Sequence, residues 1–196
     1  MTAAARTWDA WRGNRKYGEL MRRRALGMEP EMESAKQLVR LLEPSFRPGM
    51  HVLDVGCGAG HFVRSLKRLD PQVHYTGVDF TGYYLAVAQD VWQDDPRVRF
   101  ICGDAFNLPV ASGGFDVVTC VTVLQNLPDY RAPFQELLRA SRRMVLVRML
   151  LGEITHIIHR YENPRQPDAF TYYNIWSTDE VVDFIKSQGA RQVEVL

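Results

Sequence analysis

Apolar residues recur along the chain at two different spacings, and these spacings predict an alternation of strands and helices. Short apolar runs predict strands over residues 52–55, 73–80, 98–102, 115–121, 144–150 and 192–196. Apolar residues three or four apart predict helices over residues 32–43, 62–69, 83–92, 132–142 and 178–187. Pro and Gly separate many of these segments, which places turns between them.

This order of elements predicts an α/β fold with a doubly wound, mostly parallel sheet and helices on both faces. The strand over residues 115–121 is almost wholly apolar after Asp116. Such a strand is typical of a parallel sheet that is covered on both sides. In folds of this kind ligands bind beyond the carboxyl ends of the strands, so the chemistry is expected there.

Length and composition favour one globular domain. The chain has 196 residues, 46% of them hydrophobic and 24% charged, with a net charge of +1. No apolar run is long enough to cross a membrane, and the first residues lack the apolar segment of a signal peptide. Cys57, Cys102 and Cys120 are isolated, so we expect reduced thiols, a cytoplasmic location and no membrane contact.

The N-terminal residues differ in charge from the rest of the chain. Basic residues outnumber acidic ones over residues 1–27, with Trp8, Trp11 and Tyr17 interleaved. Such a segment could contact RNA or an anionic substrate, but a helix with a solvated basic face explains it as well. Because the whole chain is nearly neutral, we favour the helix. We therefore divide the chain into a basic helical cap over residues 1–29 and a second domain over residues 30–196.

A glycine-rich turn follows the first predicted strand. Asp54 precedes glycines at 56, 58 and 60, which gives the pattern D-x-G-x-G-x-G. The dinucleotide fingerprint G-x-G-x-x-G would need glycine at position 61, which is His61. Glycines allow a sharp turn and a close approach of a ligand to the main chain, and the helix that follows offers free N–H groups to an anion.

Carboxylates follow the next two predicted strands. Asp79 lies at the end of the second strand, about 20 residues after the glycine turn, where it can accept hydrogen bonds from both hydroxyls of a ribose. Asp104 lies at the end of the third strand, where it can accept from an exocyclic amine such as that of adenine. Each Asp alone could instead cap a turn, but their occurrence at successive strand ends favours a nucleoside site.

These motifs resemble those of the class I S-adenosylmethionine (SAM)-dependent methyltransferases, and of the type 11-like small-molecule methyltransferase domains among them. The resemblance extends over about residues 32–196 and implies a Rossmann-like methyltransferase fold. It implies contacts to the methionine end of SAM, the ribose, the adenine and the sulfur. The residues that would make them are Asp54, Gly56, Gly58, Gly60 and the backbone of Cys57 for the methionine end, Asp79 for the ribose, Phe80, Tyr84, Asp104 and Ala105 for the adenine, and Cys120 and Val121 for the sulfur.

The sequence departs from the family pattern at its end. Sheets of the family include a seventh, antiparallel strand beside the fifth, whereas this sequence stops at Leu196, directly after the sixth predicted strand. We therefore expect either a sheet without that strand, with chain missing beyond this point, or a sheet that another element completes. A Pro-Gly-Gly turn that often precedes the fifth strand is also replaced here by residues 140–143.

The substrate is less clearly marked than the cofactor. Polar and aromatic side chains that could form its pocket are Tyr17, His61, Gln125, Asn126, His156, His159, Tyr172 and Tyr173. Three of them, His61, His156 and His159, are candidates for a general base, although each could equally be a surface or packing residue. His156 and His159 could also share a metal ion, but no matched cysteine or carboxylate set accompanies them, so we expect no metal.

We therefore predict an enzyme that transfers a methyl group from SAM to a small molecule and releases S-adenosylhomocysteine. Two alternatives stay open. The basic N-terminus could direct the methyl group to RNA or protein, although nucleic acid is the less favoured partner, or the chain could be a module that binds SAM without turnover. The sequence does not indicate an oligomeric state.

Overall fold

Five parallel strands form the central sheet of this computed structural model, which describes residues 14–161 and 170–196. Their order across the sheet is β3-β2-β1-β4-β5. The strands are β1 (His51–Val55), β2 (His74–Asp79), β3 (Val98–Cys102), β4 (Phe115–Val121) and β5 (Ser141–Arg148). The helices are α1 (Arg15–Leu26), α2 (Glu33–Leu42), α3 (Val63–Leu69), α4 (Gly82–Trp92), α5 (Arg131–Ala140) and α6 (Thr178–Ser187).

Helices cover both faces of this sheet, as predicted. One core cluster joins Leu42 of α2 and Leu66 of α3 to Val52 of β1. The other joins Leu137 of α5 and Val181 of α6 to Leu53, the next residue of β1. Because successive side chains of a strand point to opposite faces, one short apolar strand supplies both cores.

The chain order places a topological switch point beside β1. The chain runs outward from β1 through β2 to β3, then crosses to β4 on the other side of β1. The connections that follow β1 and β4 therefore diverge and leave a crevice between them. Both predicted strand ends that carry Asp79 and Asp104 lie at the same edge of the sheet.

The predicted sixth strand is wrong: residues 192–196 form no strand. Its alternation of polar and apolar residues fits a strand, but a strand also needs a hydrogen-bonded neighbour, and β5 pairs only with β4 among the described residues. Instead, small strands not predicted from the sequence follow β5. These are β6 (Leu151–Gly152), β7 (His159–Tyr161), β8 (Phe170–Tyr172) and β9 (Trp176–Ser177).

The described part of the predicted N-terminal cap is helix α1. Asn14 accepts a hydrogen bond from the Tyr17 N–H at its start, and Gly27 ends it in the left-handed conformation. Met21 and Ala25 are buried against the rest of the molecule. The remaining part of the basic segment, residues 1–13, lies outside the described residues, and no described helix could span a lipid bilayer.

Candidate functional site

A cavity of about 520 Å³ opens at the carboxyl edge of the sheet, at the switch point. Its volume is within the roughly 300–1,000 Å³ that is usual for small-molecule sites. The ends of β1, β2, β3 and β4 line one side of it, and α1 and the hairpin of β7 and β8 line the other. The motifs that the sequence places at strand ends therefore surround one space.

The glycine turn after β1 forms the floor of this cavity. Gly56 and Gly58 line it, and both have positive φ, 77° and 54°. A Cβ on Gly56 would lie 2.2 Å from Val123 Cγ2, and one on Gly58 would lie 2.4 Å from Met21 Sδ. A side chain at either position would thus be strained by its backbone and would also collide with a neighbouring element.

Asp79 connects this turn to the end of β2. Its two carboxylate oxygens accept hydrogen bonds from the backbone N–H groups of Gly58 and Thr81, both at 2.8 Å. The Thr81 hydroxyl and the Phe80 N–H also hydrogen-bond to this carboxylate. Burial raises the pKa of Asp79, while the N–H groups of Thr81 and Gly58 oppose that rise. Several neighbouring groups therefore hold the carboxylate at the cavity wall.

The rest of the predicted nucleoside contacts also line the cavity. Phe80 follows Asp79, Tyr84 lies one helical turn further in α4, and Asp104 and Ala105 follow β3. Tyr84 is buried, with 3% of its surface exposed. Val121, at the end of β4, completes this side. Two aromatic rings and a second carboxylate thus border the same space as Asp79.

Asp54, in contrast, does not line the cavity, so its predicted direct contact with a ligand is wrong. Its carboxylate is 1% exposed and accepts hydrogen bonds from Tyr75 Oη at 2.6 Å and Thr119 Oγ1 at 2.9 Å. Burial raises its pKa to about 6, although both hydrogen bonds act to lower it. Asp54 ties β1 to β2 and β4 beneath the glycine turn.

Three other residues with predicted cofactor contacts also lie outside the cavity lining. The side chain of Cys57 packs towards Gly77 of β2, where an added Cβ would lie 2.6 Å from Cys57 Sγ. Gly60 faces Phe100 of β3 at a similarly short distance. Cys120 is fully buried in the core. Cys120 does not reach the cavity, so its predicted place beside the sulfur is wrong, whereas the backbone contact of Cys57 and the contact of Gly60 with the methionine end stay predictions.

The predicted substrate residues divide into two groups. Five of the eight line the cavity, namely Tyr17, His61, Gln125, Asn126 and Tyr173. The predicted pocket positions of the other three, His156, His159 and Tyr172, are wrong. His159 and Tyr172 are paired across the hairpin and belong to an aromatic cluster with Phe170, while His156 forms a bridge with Ile175. His159 and Tyr172 are cross-strand partners and lie on the face of the hairpin opposite to Thr171.

His61 is the one imidazole among the described cavity-lining residues. Burial, with a smaller effect from Arg24, lowers its pKa to about 4, and its Nδ1 atom is buried without a hydrogen-bond partner. The ring is therefore neutral at pH 7, and a base with this pKa retains a proton too weakly to remove one from a hydroxyl or ammonium group efficiently.

Several cavity-lining residues had no signal in the sequence. Met21 of α1, Arg160 and Tyr161 of β7, Thr171 of β8, and Thr122 reach the site only through tertiary packing. Thr122, directly after β4, is the one non-glycine residue with positive φ in the described ranges, at 64°. Strained conformations of this kind occur often at functional sites. A motif search over strand ends could have found Thr122, but not the hairpin residues.

Sequence comparison relates this chain to methyltransferases. The family model described as a methyltransferase domain matches residues 52–144. The demethylmenaquinone methyltransferase of Staphylococcus aureus is 36% identical over 97 residues, which cover 49% of this chain and 40% of that protein. This match spans less than half of the curated relative. The family-model match over residues 52–144 includes the glycine turn, Asp79, Asp104 and β4.

Solved structures share the fold over a longer stretch. Phosphoethanolamine N-methyltransferase 2 of Haemonchus contortus, in complex with SAM, aligns with a TM-score of 0.69 at 18% identity and covers 95% of this chain and 45% of that one. The structure of a complex between the Haloferax volcanii Trm112 methyltransferase activator and a methyltransferase aligns with a TM-score of 0.63 at 20% identity, over 98% of this chain and 80% of that one.

One structural neighbour has a different chemistry. The [4+2]-cyclase SpnF aligns with a TM-score of 0.56 at 23% identity, over 78% of this chain and 56% of that one. The fold by itself therefore does not fix the reaction. Residues 52–144 match the family described as a methyltransferase domain, and the parallel sheet and the glycine turn of this stretch are those of the Rossmann-like methyltransferase fold.

Proposed function

We propose that this chain binds SAM in the cavity and transfers its methyl group to a small-molecule acceptor. The observation that carries the proposal is the convergence of the glycine turn, Asp79 and Asp104 on one cavity at the switch point of the sheet. The family match supports the reaction class. The partly enclosed cavity and the small-molecule acceptor in the name of the Staphylococcus aureus relative favour a small substrate.

The residues present fit the cofactor. Gly56 and Gly58 expose main chain that a Cβ would cover, as contact with the methionine end requires. Asp79 lines the cavity wall, where its carboxylate would accept hydrogen bonds from the ribose hydroxyls. Asp104 with Ala105 would bind the adenine edge, and Phe80 and Tyr84 would pack on its faces.

The protein's contribution to the reaction is mainly orientation and exclusion of water. When bound, SAM supplies a sulfonium methyl group, which the lone pair of an acceptor atom takes while the electron pair of the broken carbon–sulfur bond stays on sulfur. Alignment of the acceptor by the cavity walls can supply most of the rate enhancement. Because the pKa of His61 is lowered to about 4, His61 is a weak general base, and its role in the reaction would be to shape the cavity wall.

Calorimetric titration with SAM and S-adenosylhomocysteine tests the cofactor site. Asp79→Ala removes the proposed ribose acceptor and is expected to weaken binding of both ligands by about tenfold or more. Asp94→Ala is the matched control, because Asp94 is an exposed carboxylate outside the cavity. Since Asp79 also holds two backbone N–H groups, the melting temperature of each variant is measured in parallel.

Two results would reject the proposal. One is the absence of binding of either ligand to folded wild-type protein. The other is equal affinity of a folded Asp79→Ala variant. Binding without release of S-adenosylhomocysteine from SAM, across a metabolite panel, would instead indicate a module that binds the cofactor without turnover.

A further inference from the structure

We infer that the substrate is a small organic anion that also carries a hydroxyl or amino group, with Arg160 binding the anionic group and Gln125 accepting a hydrogen bond from the donor. The inference rests on the proposed function and deepens it by naming the class of acceptor. Neither recognition role follows from the family motifs.

Arg160 provides the positive charge at the mouth of the cavity. Of the cavity-lining residues within the described ranges, it is the one arginine or lysine. It pairs with Thr171 across the hairpin of β7 and β8, and both residues line the cavity, so this face of the hairpin points inward. Its guanidinium forms no ion pair with another described residue. A charged donor placed in this way favours an anionic partner.

Tyr173 holds this guanidinium in place. The guanidinium carbon of Arg160 lies 5.1 Å from the centroid of the Tyr173 ring, within the range of a cation–π contact. The Tyr173 N–H in turn donates to the carbonyl of Ile158 at 2.9 Å. Because a stacked guanidinium keeps its N–H groups free along its edge, it can still bind a carboxylate or phosphate.

Gln125 lies deeper, on the short 3-10 helix Leu124–Asn126 that follows β4. It is 2% exposed, and its side-chain Oε1 is buried without a hydrogen-bond partner although the residue lines the cavity. A buried acceptor without a donor costs free energy, which a ligand hydroxyl or amino group would recover. The ligand therefore needs a donor at this depth.

The two residues are linked through one segment of the hairpin. The N–H of Asn174 donates to the backbone carbonyl of Gln125 at 2.8 Å, and its side-chain amide joins the carbonyl of Leu127 to the N–H of Ile158. Asn174 is fully buried. The positions of Gln125 and of the Tyr173–Arg160 pair are thus fixed relative to each other by main-chain hydrogen bonds.

The walls near Gln125 are apolar. Val123 and Leu127, two residues to either side of Gln125, line the cavity, as do Tyr17 and Tyr173, whereas Asn126 adds one polar side chain. No carboxylate occurs among the described cavity-lining residues apart from Asp79 and Asp104, which lie at the ends of β2 and β3. Apolar walls that carry one unpartnered acceptor and one cation favour a ligand with an apolar body, a donor and an anionic group.

Titration calorimetry on protein saturated with S-adenosylhomocysteine tests the inference. The probes are 4-hydroxybenzoate, its neutral amide 4-hydroxybenzamide, and benzoate, which lacks the hydroxyl. Wild-type protein is expected to bind 4-hydroxybenzoate about tenfold more tightly than the amide and about fivefold more tightly than benzoate. In Arg160→Gln, the preference for 4-hydroxybenzoate over the amide is expected to disappear. In Gln125→Met, which keeps the volume of the side chain, the preference for 4-hydroxybenzoate over benzoate is expected to disappear.

Arg40→Gln serves as the matched control, because Arg40 is an exposed arginine of α2 outside the cavity. The affinity for S-adenosylhomocysteine is measured for every variant and is expected to stay unchanged, so failure of this inference is distinguishable from failure of the proposed cofactor site. The inference is overturned if 4-hydroxybenzoate does not bind, if the amide binds equally well, or if both preferences survive in the two variants.

Discussion

At the scale of single residues, Asp54 shows how a motif position can serve the scaffold instead of the ligand. Its carboxylate lies within hydrogen-bond distance of Tyr75 and Thr119 beneath the glycine turn, and burial raises its pKa from 3.8 to about 6. The folded chain therefore holds a proton between these pH values that the unfolded chain has released. Linkage then requires the free energy of unfolding to depend on pH through this residue.

For Asp54 we expect the contribution to the free energy of unfolding to fall by up to about 3 kcal/mol as the pH rises from 3.8 to about 6. Asp54→Asn has the same shape but does not titrate. Urea unfolding of the wild-type and Asp54→Asn proteins across this pH range gives the difference between their free energies of unfolding. The contributions of the other titrating groups cancel in this difference. A difference that does not change with pH would contradict the raised pKa.

At the scale of elements, α1 is packed onto the glycine turn and α4. Met21 belongs to a small core cluster with Ala59 and Tyr84, and the Tyr84 hydroxyl donates to the carbonyl of Asn14 at 3.4 Å. Gly18 permits this approach, since a Cβ there would lie 2.4 Å from Tyr83 Cε1. We therefore propose that α1 closes the cofactor cavity, in addition to presenting the solvated basic face that the sequence predicts.

Gly18→Ala is expected to weaken binding of S-adenosylhomocysteine by about tenfold, because the new methyl group forces α1, with Tyr17 and Met21, away from the cavity. Gly82→Ala is its matched control in α4, where an added Cβ meets nothing within 4 Å. In the control, alanine should leave binding unchanged and stabilise the helix by up to about 1 kcal/mol. Calorimetry and urea unfolding measure the two effects, and equal affinities would refute the closing role of α1.

At the scale of the whole molecule, the site lies entirely at one edge of the sheet. The described cavity lining comes from segments as distant in sequence as Asn14 and Tyr173, because α1 and the hairpin of β7 and β8 pack at the edge where the parallel strands end. The opposite, amino edge carries different groups, including the stacked rings of His51 and His74. A ligand that binds only the folded state should therefore stabilise the two edges unequally.

Hydrogen exchange measured by mass spectrometry tests this asymmetry. S-adenosylhomocysteine at about 100 times its dissociation constant adds about 2.7 kcal/mol to global stability. Beyond that uniform effect, we expect extra protection of peptides that contain Gly58, Asp79 or Asp104, and none for peptides limited to residues 47–51 or 70–74. Equal extra protection at both edges would place the ligand elsewhere.

The central sheet was predictable from sequence because each of its strands is a short apolar run between turn signals. The predicted bounds of β3 and β4 agree with the structure, and those of β2 differ by one residue at each end. The prediction of a strand over residues 192–196 is wrong, because polar and apolar residues alternate there but no neighbouring strand pairs with this segment. The pattern also missed β7 and β8, because each has only three residues and is too short to show a period.

The sequence by itself determined the fold class and the Asp79 and Asp104 strand ends of the candidate site, because local apolar spacing and glycine conformation act over a few residues. The tertiary structure alone decided which side chains reach the cavity. It removed Asp54, Cys57 and His159 from the lining and added Met21 and Arg160. The physical reason is that the direction of a side chain depends on strand pairing and helix packing between segments far apart in the chain, which no local pattern records.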